Sequence, residues 1–75
     1  MSRLRVAKVR ELERILNRLG FQKVRQGAGS HAVFKHPDGR WTTVPLHYGP
    51  DLAKGTLRTI LKNIEITVEE FESMR

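Results

Sequence analysis

The chain has no cysteine, so neither a disulfide nor a thiolate metal site can staple the fold. That composition suits a reducing, cytoplasmic compartment. Acidic residues are few and scattered. Asp38 and Asp51 stand alone, and the glutamates fall on the first apolar-periodic segment or near residue 70. Two-metal nuclease chemistry relies on clustered carboxylates, and this sequence does not supply them. No apolar run approaches the roughly 20 residues needed to cross a bilayer. The basic start Met1-Ser2-Arg3-Leu4-Arg5 has no apolar stretch behind it and does not read as a signal peptide. Aromatic residues number five, and only one is tryptophan. With 75 residues, the chain suits one small domain over 1–75 with a thin core and a shallow surface site.

What the chain does have is positive charge. Residues 1–64 hold thirteen Lys or Arg against four Asp or Glu, a balance of +9, whereas residues 65–75 balance at −3. A basic body suits a polyanion, nucleic acid foremost. The short acidic end reads most plainly as a solvated tail.

Val6, Val9, Leu12, Ile15, Leu16 and Leu19 recur at helical spacing and predict a first helix over about Ala7 to Leu19, stopped by Gly20. Arg10, Arg14 and Arg18 form a basic stripe on its other face. Phe21 to Gln26, Ser30 to His36 and Trp41 to Pro45 read as three strands. Val24 is the expected inward residue of the first. Pro37-Asp38-Gly39-Arg40 signals a hairpin. With Asp38-Gly39 as a two-residue loop, Val33 falls opposite Val44 and His31 opposite Leu46. Residues 46–53 read as a loop. A second helix follows over about Lys54 to Asn63, with Leu57, Ile60, Leu61 and Ile64 inward and Lys54, Arg58 and Lys62 as a second basic stripe. Thr67-Val68-Glu69-Glu70 has capping-box spacing and predicts a final helical turn around Phe71. The order helix, three antiparallel strands, helix gives an α+β fold with both helices on one face of the sheet.

The chemistry-bearing residue that stands out is His31, which follows Gly27-Ala28-Gly29-Ser30 and precedes a strand. Imidazole changes charge near neutral pH, and glycines let a bulky ligand approach the backbone. RNA carries its own nucleophile, the 2′-hydroxyl. Cleavage then needs a base, an acid and positive charge at the phosphoryl oxygens, but no metal. His47, just past the third strand, falls near His31 in this register, and His36 falls at the far hairpin end. Each histidine also has an ordinary surface reading. A zinc site from His31, His36 and His47 fits no short ligand motif. Trp41 and Tyr48 are candidates for base stacking, with Trp41 against the sheet edge as the plainer reading. The N–H groups near Gly55-Thr56 are weak phosphate-binding candidates.

Gly29-Ser30-His31, Phe34, His36-Pro37-Asp38-Gly39-Arg40, Thr43-Val44-Pro45, His47, Lys54-Gly55-Thr56-Leu57-Arg58, Ile60-Leu61-Lys62 and Glu70-Phe71 together resemble the HicA toxin family, as does the upstream Leu16, Leu19-Gly20-Phe21. The resemblance implies a fold like the double-stranded RNA-binding domain, α-β-β-β-α. It implies a ribonuclease toxin that cuts translated messenger RNA and arrests growth, with a HicB-type antitoxin covering its active site. The family's catalytic histidine falls on His31, and a second family histidine falls on His47. Such a domain spreads its RNA contacts over the first helix, a hairpin loop and the start of the second helix. Arg10, Arg14, Gly29, Ser30, Lys54 and Arg58 are the residues so distributed. No cofactor, metal or membrane partner is implied, and the free toxin is expected as a monomer. Family members often read Ala-Gly after the second helix, where this chain has Asn63-Ile64-Glu65. Two other readings use the same residues: a non-catalytic RNA-binding module, and a protein whose basic face meets an acidic partner protein.

Overall fold

The computed structural model describes residues 3–26 and 31–75. Its elements are α1 (Val9–Arg18), β1 (Gln22–Gln26), β2 (His31–Lys35), β3 (Trp41–Pro45), α2 (Lys54–Asn63) and α3 (Val68–Ser73). The strands form one antiparallel sheet in the order β1-β2-β3. The fold is the expected α+β, α-β-β-β-α arrangement, with α3 closing the chain. Ala32 and Phe34 of β2 and Thr42 and Val44 of β3 are fully buried. The three apolar ones share a single cluster with Val9, Leu12, Ile15 and Leu16 of α1 and Leu57, Ile60 and Leu61 of α2. Both long helices therefore cover the same face of the sheet. The opposite face is open.

Two helix ends are built alike. After α1, the Phe21 N–H donates to the Leu16 carbonyl and the Gly20 N–H to Asn17. After α2, the Ile66 N–H donates to the Leu61 carbonyl and the Glu65 N–H to Lys62. Both are Schellman caps, which require a left-handed residue just past the helix. Gly20 meets that need at φ 97°, and Glu65 is forced to φ 60°. Glu65 carries a side chain where such a cap favours glycine, so this helix ends at a conformational cost. The capping box at Thr67 and Glu70 forms as expected: each accepts a bond from the other's backbone N–H.

The hairpin register differs from expectation by one residue. His31 pairs with Pro45, Ala32 with Val44 and Val33 with Thr43. The His36 N–H donates to the Arg40 carbonyl and the Gly39 N–H to His36. That is a three-residue loop: a turn over Pro37-Asp38 followed by Gly39 at φ 103°. Pro37 presets the first turn position, so it cannot remain in the strand as a two-residue loop would require. Ala32 and Phe34 therefore face inward, and His31, Val33 and Lys35 face out.

Three smaller expectations are also corrected. Val24 is 54% exposed, because the ladder shifts register between Lys23 and Arg25 and turns it to the open face. Val6 is exposed rather than part of the α1 stripe, since the helix begins at Val9 and Leu4 and Ala7 enter the core instead. The acidic end is not a solvated tail. Phe71 is buried, and Arg75 bonds to Glu11, Glu72 and the carbonyls of Arg5 and Val6. Burial opposes ionisation of the Glu72 carboxyl. Bonds from the Arg5 backbone and side chain and from Arg75 outweigh that and hold it below its ordinary range.

Candidate functional site

The site is defined by which ends of the elements meet. Asn63, at the end of α2, donates to Thr42 near the start of β3, and Arg40 donates to the Ile64 carbonyl just past α2. Hence α2 runs antiparallel to β3, and its first residue, Lys54, lies toward the Pro45 end of the sheet. Gly20 and Phe21, just past α1, meet His36 beyond the end of β2. At the other end of α1, Leu52 donates to the Ala7 carbonyl, and Lys8 bonds Gly49 and pairs with Asp51. The start of α1 therefore also lies toward the Pro45 end. One end of the molecule thus gathers the start of β2, the end of β3, the loop 46–53 and the first residues of α1 and α2.

His31 opens β2 at this end. It is exposed and, by the alternation of the strand, points to the open face of the sheet. His47 is exposed two residues beyond Pro45, the cross-strand partner of His31. The corrected register leaves both histidines at the same end of the sheet, with His47 two residues rather than one beyond the partner of His31. His36 belongs elsewhere: five residues along the chain from His31, about 16 Å in an extended strand. It packs edge-on against Phe21 at 5.0 Å and accepts at Nδ1 from the Asp38 N–H. The three histidines therefore do not converge on one point.

The loop carrying His47 is tied to α1 by its neighbour. The Tyr48 hydroxyl donates to Glu13 at 2.9 Å, and the Arg10 guanidinium lies 5.0 Å from the Tyr48 ring centre. The hydrogen bond to the Glu13 carboxylate, with smaller help from desolvation, raises the Tyr48 pKa above its ordinary value. Tyr48 is therefore an anchor in this structure. It holds Arg10 beside the His47 loop, and Lys23 of β1 pairs with the same Glu13. The adjacency of Tyr48 to His47 was the only sequence signal for this anchor, and periodicity could not have paired it with Glu13.

Arg14 is exposed one turn further along α1, where Arg10, Glu13, Arg14, Asn17 and Arg18 line a shallow groove. Lys54 and Arg58 are exposed at the first residue and second turn of α2. Arg10 and Lys54 thus share the His31 end, while Arg14 and Arg58 extend the positive charge back along the helical layer. Gly29 and Ser30 lie outside the described residues.

The family model described as the HicA toxin of bacterial toxin-antitoxin systems matches residues 9–66, well over half of the chain. The chain belongs to the HicA toxin family. The match runs from the first residue of α1 to just past the Schellman cap of α2, so it takes in both candidate histidines and all four described basic positions. A HicA toxin acts as the toxin half of a toxin–antitoxin pair, which implies an antitoxin partner. No curated protein matches the chain significantly. No helix among the described residues is long and apolar enough to cross a membrane.

Proposed function

We propose that this HicA-family toxin is a metal-independent endoribonuclease that cuts messenger RNA and blocks translation, with His31 as its general acid or base. The observation that carries the reading is the exposed position of His31 at the one end that also gathers His47, Arg10 and Lys54. In such a reaction the RNA 2′-oxygen bonds to the adjacent phosphorus while the bond from phosphorus to the 5′-oxygen breaks. One group takes the 2′-hydroxyl proton and another supplies a proton to the leaving oxygen. His31 moves one of these protons, and His47 assists with the other. Arg10, Arg14, Lys54 and Arg58 hold phosphates, together with the backbone around Gly29 and Ser30. A shallow, exposed site suits a long polymer substrate better than a small metabolite, which is usually enclosed in a concave pocket.

Within this reading residues 1–75 act as one ribonuclease domain, a monomer when free and working in the cytoplasm without a cofactor. A HicB-type antitoxin silences it by covering the His31 end.

The test is cleavage of a defined labelled RNA by wild type and His31→Ala, each with EDTA present. Loss of an acid–base group costs about 10²- to 10⁴-fold in rate. Wild type should shorten the RNA, and folded His31→Ala should be slower by that factor. Equal cleavage by the two proteins would overturn the role of His31. Binding without shortening by wild type would make the protein an RNA-binding module instead.

A further inference from the structure

The open face of the sheet carries a feature that the basic helices do not explain. Trp41, the only tryptophan, is 56% exposed and lies directly across from Lys35. Val24, Val33, Lys35 and Trp41 line one shallow depression there. A register shift in β1 turns Val24 onto this face, and the strand alternation puts Val33, Lys35 and Trp41 on it. His31 belongs to the same face at the other end of β2. Trp41 stands four residues along β3 from Pro45, the partner of His31, or about 13 Å in an extended strand.

Resting on the ribonuclease reading of His31, we infer that this depression is a nucleotide subsite, in which a base of single-stranded RNA stacks on Trp41 while Lys35 meets its phosphate. The substrate strand then runs across the open face of the sheet from His31 towards the hairpin. A flat indole beside two valines offers a base an apolar stacking surface. Stacking of this kind is sequence-tolerant, because every base has a π-face. Lys35 supplies charge complementary to the backbone. Thr43, between Trp41 and Pro45 on the same face, is exposed and small, so nothing bulky on β3 interrupts the path. A protein partner fits less well. A stable interface buries about 800 Å² per partner, and one indole with two valines offers only a fraction of that.

Trp41 reports on its own site. Its emission is the sole tryptophan signal, and it should be quenched as a non-cleavable 2′-O-methyl oligonucleotide is titrated in. By anisotropy of the labelled oligonucleotide, Trp41→Ala should weaken binding about tenfold or more, and Trp41→Phe should recover most of the loss. Lys35→Gln should lower the slope of log affinity against log salt by about 0.7. With cleavable RNA, Trp41→Ala should raise KM on a long oligonucleotide and leave kcat nearly unchanged. It should not affect a dinucleotide, which is too short to reach from His31.

An oligonucleotide that binds with unchanged Trp41 emission, and equally well to Trp41→Ala, overturns the subsite. If His31-dependent cleavage persists in that case, the ribonuclease reading survives. If wild type never cleaves but the oligonucleotide still quenches Trp41, the reading of His31 fails and the subsite stands. Quenching by a protein partner alone, with RNA inert, overturns the subsite in favour of a protein-docking face.

Discussion

The two ends of the sheet are built on different principles. At the hairpin end, side chains are spent on holding the chain together. Arg40 donates to Asp38 and to the Ile64 carbonyl and lies 5.1 Å from the Phe21 ring centre. Both Schellman caps finish there, and His36 is packed against Phe21. At the other end, His31 and His47 are exposed, and Arg10 is held by its aromatic contact with Tyr48 rather than buried. Two histidines of the same chain thus sit in opposite surroundings. His36 is fixed by its neighbours, whereas His31 is presented to whatever approaches. One end supplies rigidity, and the other can keep charged and titratable groups accessible.

Stability measurements on single variants sharpen this contrast. Phe21→Ala, in the fully buried centre of the hairpin end, should cost about 3–5 kcal/mol, read from the denaturant midpoint. A loss comparable to that of a surface change would break the division between the ends. Arg40→Met keeps the apolar contact with Phe21 but leaves the Ile64 carbonyl without its donor. It should cost about 1–3 kcal/mol by the same measurement.

The two helix caps give a matched pair of opposite sign. Gly20→Ala places a Cβ 3.0 Å from His36 Nε2 at a positive φ and should destabilise by about 1 kcal/mol or more. Glu65→Gly relieves a left-handed non-glycine residue and should raise stability by about 1 kcal/mol. If Glu65→Gly lowers the melting temperature, the cost assigned to this cap is wrong. His31→Ala and His47→Ala should move stability least, within about 0.5 kcal/mol. A large fall in the melting temperature of either would mean that the exposed end is structural too.

Acid should act on the hairpin end through Asp38, as it does on α3 through Glu72. The hydrogen bond from the Arg40 backbone N–H, opposed by desolvation but joined by the Arg40 side chain and the charges of Arg40 and His36, holds the Asp38 carboxyl below its ordinary pKa. A depressed carboxylate stabilises the fold above the ordinary carboxylate range and loses that contribution as pH falls through its folded value. Wild type should therefore lose stability below about pH 4. Asp38→Asn should flatten that part of the profile. An unchanged acid limb in Asp38→Asn would remove Asp38 from the account.

Much of the architecture was legible because it depends on local chemistry. Lys54 to Asn63 reads as a helix from its apolar spacing and is one. Thr67 and Glu70 announce their capping box, and Gly20 announces the end of α1. The hairpin loop differs from the two-residue expectation because Asp-Gly and Pro-Asp-Gly favour different turns, and one residue of loop length reverses the faces of a strand. Val24 escaped because a bulge is a property of two paired strands, not of one. For the site, the motif singled out His31 and His47 and the helical spacing set out Arg10, Arg14, Lys54 and Arg58. The anchoring of Tyr48 to Glu13 joins residues 35 positions apart, and no local signal carries it.

The sequence by itself determined the kind of protein this is: a small basic α+β toxin of the HicA family, with a histidine at the start of its central strand. Those properties follow from composition, periodicity and motif, which are written along the chain. Only the tertiary structure decided that His31 faces the open side of the sheet, that it shares this face with Trp41 and Lys35, and that the starts of both long helices gather at its end. Those properties depend on strand register and on the direction in which helices cross the sheet. Both are fixed by contacts between residues far apart in sequence.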